Sequence, residues 1–333
     1  MTTTSEGLAA PFALARFRDG DSVRLGLVAG DRIRPLSADD LGAGDLNDFL
    51  AHADWDRLDA LAEPGSTTVP EPVEGWMPLA DVVLAAPVEP RQVLQAGANY
   101  RTHVVQLIMA GLTKGGESAL SPDEVRAKAE SIMDARAASG RPFIFLGLPQ
   151  CVVGDDVPLV LPDYSQTHDW ELELAVVIGR EAFRVDPEHA LDHVAGYTIV
   201  NDITTRDRVF PPDVGDIGAD WYRSKNAPGF LPAGPFLVPA TFVDPGDLSI
   251  TLRLNGDVMQ DATTAELVFD VRTLVAAASQ TLPLLPGDLL LTGSPAGNGQ
   301  HWKRYLRDGD VMTGTIEGLG TQVVRCLAEG PAV

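Results

Sequence analysis

Cys151 and Cys326 are the only cysteines in 333 residues, which excludes a disulfide scaffold and a four-cysteine zinc site. Such a chain suits a reducing compartment, and a cytoplasmic location is expected. No run of about 18 apolar residues occurs, and the N-terminus has neither a basic stretch nor an apolar stretch behind it. No membrane span and no secretory leader are therefore expected. Basic charge is also short, with 25 Lys and Arg against 47 Asp and Glu and a net charge of −22. That balance argues against nucleic acid or an anionic membrane as partner. Lysine is scarcer still: Lys114, Lys128, Lys225 and Lys303 are the whole set. There is no phosphate-binding P-loop, no dinucleotide fingerprint and no internal repeat.

What is present reads as an ordinary globular chain, 45% hydrophobic, able to bury a sizeable core. Its length favours one catalytic domain plus a smaller one. Turn residues at Asp19-Gly20-Asp21 and Gly30-Asp31 divide residues 12–36 into a small antiparallel meander. A helix is expected from Leu46 to Leu61. Proline and glycine mark residues 63–91 as a linker. Residues 1–85 are then a small β-rich accessory domain, and 86–333 the catalytic part. Ser121-Pro122-Asp123-Glu124 starts a helix running to about Ala138. The polar, poorly patterned region around it, about 104–142, is read as a lid. Later strands are expected at Val194–Val200, Leu248–Leu254, Asp288–Thr292, Val311–Ile316 and Gln322–Cys326, with Asn255-Gly256 as a hairpin turn.

The chemistry centres on Asp169-Trp170-Glu171-Leu172-Glu173, which continues as Leu-Ala-Val-Val-Ile-Gly. In a strand, alternate side chains share a face, so Glu171 and Glu173 emerge together, with Asp169 beside them if the strand extends that far. Carboxylates this close repel unless a proton or cation separates them. Asp202, at the end of the next apolar strand, would complete a set of three oxygen ligands for Mg²⁺ or another hard cation. His103 follows a strand-to-helix transition, where side chains reach pocket mouths. Lys225 stands beside aromatic residues in a chain whose default cation is arginine.

These pieces resemble the fumarylacetoacetate hydrolase family across roughly residues 92–327. The motifs, in family order, are Gly97-Ala98-Asn99-Tyr100-Arg101-Thr102-His103, the acidic strand from Asp169 to Gly179, and Asn201-Asp202-Ile203-Thr204-Thr205-Arg206-Asp207. Trp221-Tyr222-Arg223-Ser224-Lys225, Gly234-Pro235 and Leu291-Thr292-Gly293-Ser294-Pro295-Ala296-Gly297 follow. The resemblance implies a mixed α+β, β-rich fold, a mixed β-roll, in a homodimer. It implies a divalent metal, commonly Mg²⁺ with Mn²⁺ or Ca²⁺ as alternatives, on Glu171, Glu173 and Asp202, and drops Asp169 from the ligand set. It also implies a small 2-oxo acid or β-dicarbonyl substrate. On this reading His103 is the general base and Lys225 places positive charge near a developing enolate. Tyr100, Arg206 and Thr292 meet the substrate, with Arg206 pairing its carboxylate and Thr292 donating to it.

Two positions depart from the family pattern. Many members carry a glutamate three residues after the histidine, where this chain has Gln106. An amide can orient an imidazole but cannot stabilise imidazolium by charge. Val209 stands where a glutamine is common, which suggests a less polar or bulkier substrate. The leading expectation is a hydrolase that cleaves a C–C bond of an acylpyruvate-type acid through water activated at His103, with Glu117, Asp123 or Glu130 as possible support for that base. The alternative is an isomerase, decarboxylase or hydratase-like lyase. A weakly active metal-binding paralogue is the third.

Overall fold

The expected meander forms from Ala13–Asp19, Ser22–Ala29 and Arg32–Pro35, paired antiparallel. The computed structural model describes residues 5–62, 75–113, 121–154, 157–213 and 218–330. The stretch expected as a linker differs from that expectation where it is described. Met77–Pro78 and Leu84–Ala85 are strands at the two edges of the N-terminal sheet; residues 63–74 lie outside the described set. Proline at a sheet edge sacrifices no ladder hydrogen bond, which lets so proline-rich a segment join. The helix expected from Leu46 to Leu61 is two helices, Leu46–Ala51 and Trp55–Leu61. Asp54 causes the break, because its carboxylate accepts the Arg57 backbone N–H and starts the second helix afresh.

The N-terminal sheet does not stand apart. Phe12, Leu14, Leu27, Phe49 and Leu58 share one apolar cluster with Ala175, Val177, Leu289 and Leu291. Those last four residues belong to a six-stranded mixed sheet at the centre of the molecule. Its order is Val238–Pro239, Val194–Asn201, Leu172–Ile178, Leu289–Leu291, Val93–Gly97 and Phe143–Gly147. Leu172–Ile178 is buried along its whole length, which suits its apolar run from Leu174 to Ile178 and leaves Glu173 as a buried acid within it. A second sheet orders Asp257–Thr263, Ser249–Leu254, Val311–Ile316, Gly320–Ala328 and Leu159–Leu161. Asn255 and Gly256 turn the hairpin with φ of 55° and 95°, as the Asn-Gly signal required. The fold is mixed α+β and β-rich.

The acidic stretch is not one continuous strand. His168–Asp169 pairs with Thr204–Thr205 in a separate two-stranded ribbon, and the long strand begins only at Leu172. Trp170 and Glu171 lie in the break. Two helices, Arg101–Thr113 and Pro122–Ser139, pack on each other with Val104, Val105, Ala129 and Met133 buried in one cluster, and the first carries His103 toward Glu171. Ser121 and Glu124 form the capping box at the start of the second. Among the described residues no helix is long and apolar enough to cross a membrane.

Candidate active site and metal centre

Strand pairing positions the three acids. Asn201 is opposite Leu172 in the ladder, and its side-chain oxygen accepts the Glu171 backbone N–H at 2.9 Å. The Asp202 N–H returns a bond to the Glu171 carbonyl at 2.8 Å. These two bonds clasp the break before Leu172 and bring Asp202 against Glu171. Glu173, two residues on, accepts the Gly293 N–H at 2.7 Å. Gly293 has φ of 98°, a backbone state that disfavours any side chain, and that state turns its N–H toward the carboxylate. One oxygen from each of Glu171, Glu173 and Asp202 lies within 4.8 Å of the other two.

Two cations thread this cluster. The Lys225 ammonium, 3% exposed, donates to Glu171 Oε2 at 2.6 Å and to Asp202 Oδ2. Arg206 donates through Nε to Asp169 Oδ2 and through Nη2 to Glu171 Oε1, each at 2.6 Å. Asp169 is fully buried and also accepts the backbone N–H groups of Trp170, Gly299 and Gln300. Arg206 thus pairs with two protein carboxylates through Nε and Nη2, a role that the expected pairing with a substrate carboxylate did not include. The same geometry gives Asp169 a structural task that its removal from the ligand set had not anticipated.

Charge states follow from this arrangement. Burial pushes Glu171 upward, but Arg206 and Lys225 outweigh it and hold its pKa at about 2. Asp202 is raised to about 6 by burial, with Lys225 opposing and Glu171 adding to the rise. Glu173 is raised well above the usual carboxylate range by burial and then by Asp202. Lys225 is raised because Asp202 and Glu171 overcome its own burial. Like charges are crowded here and only partly compensated.

His103 lies half-buried on the first of the two helices, facing Glu171, Arg206, Lys225 and His301. Burial lowers its pKa to about 4; Glu171 opposes, and Arg206, Lys225 and His301 reinforce the fall. Its imidazole is neutral at pH 7. Gln106, one turn on, is exposed, and among the described residues no hydrogen bond joins it to His103. It does not orient the imidazole as expected. The alternative acids fare no better: Asp123 is exposed, Glu130 lies 3.8 Å from Arg126 on the surface, and Glu117 is outside the described residues. Tyr100 is fully buried, its hydroxyl lacks a partner, and burial with Glu173 nearby raises its pKa. Thr292 donates its hydroxyl proton to the Leu174 carbonyl at 3.0 Å, so it offers lone pairs rather than the donor expected. His301, exposed at the site's edge, escaped the sequence reading because nothing around it has a recognisable period.

Whether a divalent cation fits can be tested on these atoms. Asp202 Oδ1 is buried with no hydrogen-bond partner, and the donor set is all hard oxygen. Asp169, Glu171, Glu173 and Asp202 carry four formal negative charges against two positive on Arg206 and Lys225. The remainder is two, which a divalent ion neutralises. The residues fit the group.

The sequence profile described as fumarylacetoacetate hydrolase, C-terminal, matches residues 92–326. The chain belongs to the fumarylacetoacetate hydrolase family. A fumarylacetoacetate hydrolase domain-containing protein 2 homolog from Dictyostelium discoideum is 30% identical over 315 residues, 91% of this chain and 92% of that protein. A mitochondrial oxaloacetate tautomerase, FAHD2A, from Bos taurus is 35% identical over 248 residues, 73% of this chain and 69% of its own. Among solved structures, a 2-hydroxyhepta-2,4-diene-1,7-dioate isomerase from Mycobacterium marinum superimposes with a TM-score of 0.67 at 29% identity. That match covers 96% of this chain and all of the other. Membership of the fumarylacetoacetate hydrolase family makes this an enzyme fold, and its named relatives include isomerases and a tautomerase.

Proposed function

We propose that the protein is a divalent-metal-dependent isomerase of a small 2-oxo acid, moving a proton between the keto and enol forms. The observation that carries this reading is the pairing at the base. His103 is neutral, faces the acidic cluster and has no carboxylate at Gln106 to support it. Such an imidazole suits taking a proton from an acidic C–H and handing it back. Activating water for C–C cleavage calls more strongly for a charged partner. The names of the bovine relative and of the Mycobacterium marinum structure support the same direction.

Glu171, Glu173 and Asp202 would hold the cation, proposed as Mg²⁺ with Mn²⁺ or Ca²⁺ as substitutes. When bound, it supplies Lewis-acid stabilisation of the enolate. Lys225, firmly protonated, keeps positive charge beside the enolate oxygen. Arg206 holds Glu171 in place and ionised. His103 accepts the carbon-bound proton, and its half-buried position limits the water that competes for it. The segment at about 104–142 would serve as the lid, with residues 1–85 as an accessory domain. A cytoplasmic homodimer is the setting that goes with this reading.

Hydrolysis is the second reading, favoured by the neutral imidazole, which is also the form a water-activating base requires. Incubating candidate 2-oxo and 2,4-dioxo acids in ²H₂O and in ¹⁸O water separates the two. Enzyme-dependent exchange of deuterium at the carbon next to the ketone, without cleavage, is the expected result. ¹⁸O appearing in a carboxylate product establishes hydrolysis instead.

A further inference from the structure

Gln95 interrupts an otherwise apolar strand, Val93–Gly97. The ladder sets it opposite Phe145 on one side and Leu291 on the other. It is 1% exposed, yet neither its amide nitrogen nor its amide oxygen has a hydrogen-bond partner. A buried amide left unpaired costs stability that an apolar side chain of equal size would keep. Its presence therefore asks for a task outside packing.

Its surroundings indicate that task. The carboxamide sits beside the Asp202 end of the cluster: its ladder neighbour Phe145 has its ring centroid 5.8 Å from Lys225 Nζ, the ammonium that holds Asp202, and the amide itself completes no hydrogen bond. Asp202 Oδ2 is taken by Lys225, while Oδ1 is buried and unpartnered. Space for the amide is made by Gly147 on the neighbouring strand. A Cβ there would lie 2.8 Å from Gln95 Oε1 and 3.1 Å from its Cδ. Because Gly147 does not have a left-handed φ, side-chain room accounts for the glycine, chiefly for Gln95 and also for Val93 Cγ1, which a Cβ would meet at 3.2 Å.

We propose that Gln95 is a positioning residue for the cation centre. Its amide N–H donates to Asp202 and fixes the angle at which that carboxylate meets a divalent ion, with Gly147 reserving the space. This rests on the metal reading above. The amide's pairing then belongs to the outer shell of the cation centre, where such partners orient the ligating carboxylate.

The test uses the full-length protein, Mn²⁺ titrated by calorimetry, and melting curves in chelator. Gln95→Met is expected to leave the metal-free melting temperature unchanged or raised, and to weaken Mn²⁺ binding by about 10-fold or more. Gly147→Ala, which crowds the amide from the other side, is expected to weaken Mn²⁺ binding as well. A Gln95→Met protein that melts lower while binding Mn²⁺ as before marks a plain packing residue and overturns the proposal. So does unchanged affinity in both variants. Wild-type protein that binds no Mn²⁺ overturns the metal reading itself and this inference with it. Wild-type binding that Gln95→Met does not alter overturns the inference alone.

Discussion

Lys225→Met asks whether the buried ammonium and a divalent ion share the same carboxylates. Lys225 is 3% exposed, and its Nζ lies 2.6 Å from Glu171 Oε2 while also holding Asp202. Methionine keeps the stem and removes the charge. Losing one partner of a buried ion pair costs about 3–5 kcal/mol, because the other charges stay buried. With roughly 2.1 cal/mol/K of unfolding entropy per residue, 333 residues give about 0.7 kcal/mol/K. The metal-free variant should then melt about 4–7 °C below wild type, by differential scanning calorimetry in chelator. Adding Mg²⁺ or Mn²⁺ at about 100 times the dissociation constant would stabilise wild type by about 2.7 kcal/mol, or about 4 °C. In the variant the same ion no longer competes with an ammonium for Asp202 and Glu171. Its stabilisation should be larger, recovering much of the loss while turnover stays abolished. A variant that melts low and gains no more from the ion than wild type would refute the reasoning, since the two cations would then be independent.

Other outcomes follow from the same geometry. Glu173→Gln copies the protonated acid that burial already favours in the metal-free protein. It should therefore melt like wild type in chelator, yet lose more Mn²⁺ affinity than the roughly 10–100-fold typical of removing an outer partner; intact binding would remove Glu173 from the ligand set. The His103 pKa falls from 6.5 to about 4 on folding. Its neutral form therefore stabilises the fold above the unfolded value, and that contribution is lost as the pH drops through about 4. Imidazole shifts by NMR, assigned with His103→Gln, should stay neutral down to about pH 5; a midpoint at 6 or above contradicts the burial argument. Because Gln106 is exposed and not bonded to His103, Gln106→Glu should change kcat/KM by less than about threefold. A tenfold gain in hydrolysis would show that the pair forms during turnover.

The legible parts of the sequence were those governed by short-range rules. The Asn255-Gly256 turn, the Ser121 cap and the apolar run from Leu174 to Ile178 each rest on a few adjacent residues. The spacing of Glu171 and Glu173 placed both acids near one another even though the strand begins only at Leu172, after Glu171. Partnerships across the fold were not legible. Nothing near Arg206 reveals that Asp169 and Glu171 will claim it, and nothing near Thr292 reveals the Leu174 carbonyl that takes its proton. The two-helix break at Asp54 was missed because its cap bond competes with a continuous helical pattern. Gln95 did leave a signal, a lone amide in an apolar strand, which only its burial without partners turns into a question.

The charges of the site alternate along one string: Asp169, Arg206, Glu171, Lys225, Asp202. Every interior member answers to a neighbour on each side, as ions do in a row of a salt crystal. A single neutral replacement therefore disturbs the balance at members it never touches. Asp169→Asn and Lys225→Met should show non-additive effects although their side chains do not meet. Viable change along the string comes in opposite-sign pairs. Easy variation is left to uncharged positions outside the string, such as Gln106 and Val209, which can change without unbalancing the charges.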